Sequence, residues 1–156
     1  MTEADRLYAA LIGAFEALFE ALPDARLEHR AGYVLLVCPS APAIPQFNGA
    51  FAGDDEAALV AELPDAIGEL ERDGLPFWLV TREGRHPLVE VEAERLGLAQ
   101  VDVVPGMVAT PSELVDVPAG GLRIERAADS RDFARALDVA AAGFEAPAAV
   151  LAALYG

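Results

Sequence analysis

The chain contains no lysine. Its eleven cations are all arginine and face 26 acidic residues, for a formal net charge of −15. A surface so poor in positive charge repels nucleic acid and anionic lipid, so neither is expected as a partner. Cysteine is almost as scarce. Cys38, within the apolar run YVLLVC, is the one thiol, which excludes an internal disulfide and a cysteine-based zinc site. A single thiol also makes a reducing cytoplasm the expected compartment. A catalytic cysteine wants a histidine partner, yet histidine occurs only as His29 and His86, and neither has ligand spacing to anything. Cys38 therefore reads as a buried structural thiol, and no metal site is expected. No apolar run approaches the ~20 residues of a membrane span. Glu3 and Asp5 stand where a signal peptide would need cations. The expectation is a soluble, cytoplasmic protein.

What is plentiful is apolar surface. With 54% hydrophobic and 24% charged residues in 156, the chain can bury a sizeable core as one domain, or one domain and part of another. Leu7, Leu11, Phe15, Leu18 and Leu22 recur at helical spacing over residues 2–22. Thr2 and Asp5 supply a capping-type start, and Pro23 the stop. Tyr8, Ile12 and Phe19 widen this stripe, which fits either a well-buried helix or one that also forms a homodimer interface. RLEHR and YVLLVCP read as strands joined by a hairpin at Ala31-Gly32, and FNGAFAG as a third strand. Leu59, Leu63, Ile67 and Leu70 predict a helix over 54–73, kinked or restarted at Pro64. PFWLVT then reads as a strand buried on both faces. HPLVEVEAERLG is a short helix closed by Gly97, with Glu90, Glu92 and Glu94 as its solvated face. LAQVDVVPGMVAT is a last strand, interrupted at Pro105-Gly106.

Strands alternating with helices in this order predict an α/β fold, a mixed antiparallel-plus-parallel sheet flanked by helices. Residues 111–121 (PSELVDVPAGG) read as a linker. Beyond it, Leu122 and Ile124 alternate with Arg123 and Glu125 as a strand. Asp129 or Ser130 then caps a helix with apolar positions at Phe133, Leu137, Ala140 and Phe144. APAAVLAALYG reads as a further, short helix.

The stretch AERLGLAQVDVVPGMVA (93–109) resembles the end of the GNAT family of N-acetyltransferases, where a helix closing in RLGF leads into a strand. FNGAFAG resembles that family's central cofactor-binding strand, and PFWLV its neighbour. LRIERAADSRDFARALDVAAAGF (122–144) resembles the family's opening strand and first helix. The resemblance thus implies a GNAT-like module over residues 1–110, the linker, and the first elements of a second module over 122–156, whose remainder would lie beyond Gly156. It further implies acetyl-CoA as cofactor and a small-molecule or peptide amine as acceptor. Asn48, Phe51, Trp78 and Arg82 would line the cleft between the two central strands, and Arg85 stands close by.

In that family the pyrophosphate lies on a loop of pattern Gln/Arg-x-x-Gly-x-Gly/Ala at a helix N-terminus, where free N–H groups and the helix dipole hold the anion. Here the corresponding stretch is AGDDEAAL. It offers Gly53 but places Asp54, Asp55 and Glu56 on the helix start, where carboxylates cap the helix and oppose a phosphate. No cofactor-binding and no catalytic residue is therefore assigned within the chain. Two functional readings remain beside an α/β fold unrelated to that family. One is the N-terminal part of an acetyl-CoA-dependent N-acetyltransferase whose catalysis resides outside these residues. The other is a non-catalytic ligand-binding or dimerisation module, with helix 2–22 as the dimer face.

Overall fold

The computed structural model describes residues 2–22, 24–42, 44–109, 111–113, 120–121, 125–144 and 151–152. Among them the fold is mixed α/β, with helices α1 (Glu3–Ala21), α2 (Glu56–Arg72), α3 (Pro87–Arg95) and α4 (Ser130–Phe144). Strands β1 (Arg26–Arg30), β2 (Tyr33–Val37), β3 (Gly49–Ala52) and β4 (Trp78–Val80) form one sheet in the order β1-β2-β3-β4. The chain divides into two compact units, one of residues 15–103 and one of residues 1–14 with 104–156.

At the start of α1, Thr2 and Asp5 cap each other reciprocally. The Thr2 amide donates to the Asp5 carboxylate at 2.7 Å, and the Asp5 amide to the Thr2 hydroxyl at 3.2 Å. Within the 15–103 unit, Phe15 and Phe19 pack on Phe47 and Phe51. The Phe15 and Phe51 centroids are 5.1 Å apart, and Phe47 meets both helix rings edge-on at 5.9 Å.

Ala31 and Gly32 turn β1 back into β2 as a two-residue hairpin. Gly32 holds φ 79°, and a Cβ there would overlap the Asp55 carbonyl oxygen, so the turn admits glycine on both counts. All five β2 residues are buried. Tyr33, Leu35 and Val37 join Ala50, Ala52 and the α2 stripe Leu59, Leu63, Ala66 and Leu70 in the main core. Val34 and Leu36 share the opposite face with Phe51, through the register Val34↔Phe51 and Leu36↔Gly49. Burying each of the larger aliphatic side chains in this core stabilises the fold by about 1.5–3 kcal/mol.

The helix over 54–73 forms as read, bounded by the Asp55 cap, whose Oδ1 accepts from the Ala58 amide at 3.0 Å, and by Gly74 at φ 65°. It is not restarted at Pro64, which is exposed and lies within a continuous α2. The missing N–H forfeits one helical bond, and the buried leucine stripe on the other face holds the helix together. Gly97 ends α3 at φ 89°, with the Leu98 amide donating back to the Ala93 carbonyl at 2.9 Å.

Three sequence readings are corrected. The third strand begins at Gly49, because Pro45–Phe47 is a 3-10 turn. The strand read in PFWLVT is limited to Trp78–Val80 and is half-buried; the five-residue strand covered on both faces is β2. The strand read over 98–110 is not formed at residues 98–109. Val101, Val103, Val104, Met107 and Val108 are all exposed there. Apolar, β-branched sequence is not enough for a strand, which needs a ladder partner.

In the other unit, Asp129 caps α4, its Oδ1 accepting from the Arg131 and Asp132 amides at 2.9 Å each. Phe133, Leu137 and Ala140 are half-buried along one stripe, while Val139 is exposed. The strand read at Leu122–Ile124, most of the linker at 111–121 and most of the helix read at 146–156 lie outside the described residues.

Candidate functional site

β3 and β4 form the one parallel pair of this sheet, with register Gly49↔Trp78, Ala50↔Leu79 and Phe51↔Val80. In α/β folds ligands bind beyond the carboxyl ends of such strands, so the loops leaving β3 and β4 define the candidate site.

Each loop is tied to its surroundings by polar bonds. The Gly53 amide donates to the Gly32 carbonyl at 2.7 Å. The Gly53 carbonyl accepts from His86 Nε2 at 2.9 Å, and His86 Nδ1 accepts from the Arg82 amide at 3.0 Å. An amide can only donate and a carbonyl only accept, so His86 is the neutral tautomer protonated on Nε2. Its ring is buried, and burial is the main reason its pKa lies below the ordinary histidine value, with the nearby Arg82 charge acting the same way.

The three acids at the start of α2 are all engaged. Asp54 accepts from Arg82 Nη2 at 2.8 Å and lies 3.6 Å from Arg85 Nη2. The Arg82 bond holds its carboxyl below the usual range. Asp55 caps its own helix. Glu56 reaches across to α3, where Oε1 accepts from the Leu88 amide at 2.6 Å and the Val89 amide at 3.2 Å. One carboxylate of α2 thereby caps the start of α3, which Pro87 opens and where His86 provides no side-chain cap.

Of the residues named from the sequence, Asn48 is fully buried and fastens the 38–48 loop. Its Oδ1 accepts from the Cys38 amide at 2.8 Å, and its Nδ2 donates to the carbonyls of Ala41 at 3.3 Å and Ile44 at 3.4 Å. Phe51 and Trp78 share one sheet face by register. Phe51 is buried against Phe15, and Trp78 is half-buried opposite Gly49. Arg82 lies in the β4–α3 loop, its guanidinium on Asp54. Arg82 and Asp54 therefore meet at the strand ends, whereas Asn48 serves the opposite end of β3. Glu56 and His86 were named from the sequence, but their bonds to the start of α3 and to Gly53 were not read from it. The proline after His86 was the available sign that the histidine begins a helix without capping it itself.

A helix N-terminus takes an anion through amides that point outward and a positive dipole end. At α2 those amides face Asp55, with Asp54 alongside; at α3 they face Glu56. A pyrophosphate would have to displace carboxylates from both. The residues present do not fit the acetyl-CoA site that the family resemblance implies. Among the described residues no group of His, Cys, Asp and Glu is arranged to hold a metal ion, and no helix is long and apolar enough to cross a membrane. Comparison with protein-family models, with curated proteins and with solved structures finds no match.

Proposed function

We propose that residues 15–103 are a non-catalytic, GNAT-like module belonging to an acetyl-CoA-dependent N-acetyltransferase that works on a small-molecule or peptide amine in the cytoplasm. The observation that carries this reading is the sheet itself. An antiparallel β1-β2-β3 meander continues into a single parallel partner, β4, paired only from Gly49 to Phe51. That order agrees with the resemblance of FNGAFAG and PFWLV to two central strands that part around a cofactor. The carboxylates of Asp55 and Glu56 support the non-catalytic half of the reading, since they close the starts of α2 and α3 where the cofactor phosphates would lie. The lone, buried thiol of Cys38 is consistent with a reducing compartment.

Calorimetric titration with acetyl-CoA tests it in two arms. The wild-type chain is expected to give no binding up to millimolar cofactor. The double variant Asp54→Ala with Asp55→Gly keeps an acceptable N-cap residue, since glycine there costs only a few tenths of a kcal/mol. It removes two carboxylates and is expected to bind weakly, in the millimolar range. Tight binding by the wild type would overturn the non-catalytic assignment. A double variant that folds and binds nothing would remove the acyltransferase reading and leave a binding module.

A further inference from the structure

β1 is an edge strand, and among the described residues no strand pairs with its outer side. In a two-residue hairpin the pair that flanks the turn exchanges ladder bonds, here Arg30 with Tyr33, and alternate pairs do the same, Glu28 with Leu35 and Arg26 with Val37. The N–H and C=O groups of Leu27 and His29 consequently point outward. The same register puts their side chains opposite Leu36 and Val34, on the sheet face that Phe15 and Phe19 cover.

On that face a cavity of about 480 Å³ opens between the last turns of α1 and β1. Phe19 and Leu27 provide apolar lining, and Glu16, Glu20 and His29 polar lining. Glu16 Oε1 is 2.8 Å from His29 Nε2, and Glu20 follows one helical turn later. Arg26 also reaches the rim, but its guanidinium is held by Glu28 and Glu69.

We propose that this edge and groove dock an extended, basic segment of a partner protein, added to the sheet alongside β1. Outward amides two residues apart are a template for a strand, and every second side chain of that strand would enter the groove. Apolar residues would meet Phe19 and Leu27, and lysine or arginine would meet Glu16 and Glu20. The charge of the whole chain, −15, draws the same kind of partner and adds to the rate of encounter. A second copy of this chain is the poorer occupant. Antiparallel self-pairing about Glu28 sets Arg26 against Arg30 and Glu28 against itself, between two molecules that both carry a large negative charge. The docking site lies at the far edge of the sheet from the β3 and β4 loops and stands whether or not the acyltransferase reading does.

The test is a heteronuclear NMR titration of the full, isotope-labelled chain with a blocked octapeptide of alternating lysine and valine, and with its glutamate-for-lysine counterpart. The lysine peptide is expected to give saturable shifts centred on the Leu27 and His29 amides and to slow their hydrogen exchange at least tenfold. The glutamate peptide is expected to give neither. Glu16→Gln with Glu20→Gln should weaken binding by about three- to tenfold, the worth of two exposed charge pairs. His29→Pro removes one outward N–H at a position where an edge strand tolerates proline, and should abolish the response. If that variant does not fold, the glutamate variants decide. Equal binding of both peptides, shifts centred elsewhere, or no binding at millimolar peptide would each overturn the proposal.

Discussion

His86 donates through Nε2 to the carbonyl of Gly53, 2.9 Å away, and so joins the loop after β4 to the loop after β3. A buried imidazole that accepts on one nitrogen and donates on the other can do both only while neutral. Burial and the Arg82 charge favour that form, while the Gly53 bond and the acids Glu56 and Asp54 oppose it only in part.

Stability should therefore depend on pH through His86. Its folded pKa lies below the unfolded value near 6.5, so the unfolded chain binds the proton more readily. The contribution is complete above about pH 6.5 and declines as pH falls through the window down to the depressed folded value. Thermal unfolding at stepped pH from 7.5 to 5 should show this decline. His86→Gln should flatten that part of the profile; an unchanged slope would remove His86 as its source.

Gly49 lies opposite Trp78, and a Cβ at Gly49 would overlap the Trp78 carbonyl oxygen. Gly49→Ala is expected to push β4 away and cost about 1–3 kcal/mol in urea unfolding, the usual range for overpacking. Trp78 is the single tryptophan of the chain, so its emission reports the change directly, with a shift to the red as water reaches the ring.

Asn48→Ala should be among the more damaging polar substitutions. It leaves the buried Cys38 amide without its acceptor, at about 1–3 kcal/mol, while the Ala41 and Ile44 carbonyls keep the backbone amides of Ile44 and Phe47. Equilibrium unfolding would give a lower midpoint at unchanged slope. A change below ~0.5 kcal/mol would mean that water replaces the amide.

Glu69 receives Arg26 and Arg30 together, on the face of the sheet that α2 covers. Burial would raise its pKa, but the bonds from these two arginines hold it below the ordinary carboxylate value. The stabilisation is present above about pH 4.5 and is lost as pH falls through the depressed folded value. Glu69→Gln should cost at most ~1 kcal/mol at low ionic strength and less in high salt. A salt-independent loss would point to packing rather than charge.

The helices were legible because periodic burial and local caps both leave marks in sequence. The leucines of α2, the Thr2 and Asp5 pair, Gly97 and Asp129 all act within a few residues of where they stand. The β1–β2 hairpin was legible for the same reason. The strand expected in LAQVDVVPGMVAT did not form, because valine content measures fitness for a sheet and says nothing of where a partner strand runs. The candidate site was read in outline only. Arg82, the acids after Gly53 and the histidine before Pro87 were all identified, but the bonds from Glu56 to the start of α3 and from His86 to Gly53 escaped, because those partners are distant in sequence. The breadth of the α1 stripe was visible too. Of the residues that widen it, Phe19 packs inward on Phe47 within the 15–103 unit.

The bond from Glu56 to the Leu88 amide joins residues 32 apart, and that from His86 to Gly53 joins residues 33 apart. Contacts of that span can form only after the intervening helix and β4 have been brought together, with the entropy of closing the loop already spent. They therefore belong to the late side of the folding barrier. Substitutions at Glu56 or His86 should quicken unfolding while leaving the refolding rate nearly untouched, which makes the clasp between the two loops a determinant of how long the native state lasts rather than of how fast it is reached.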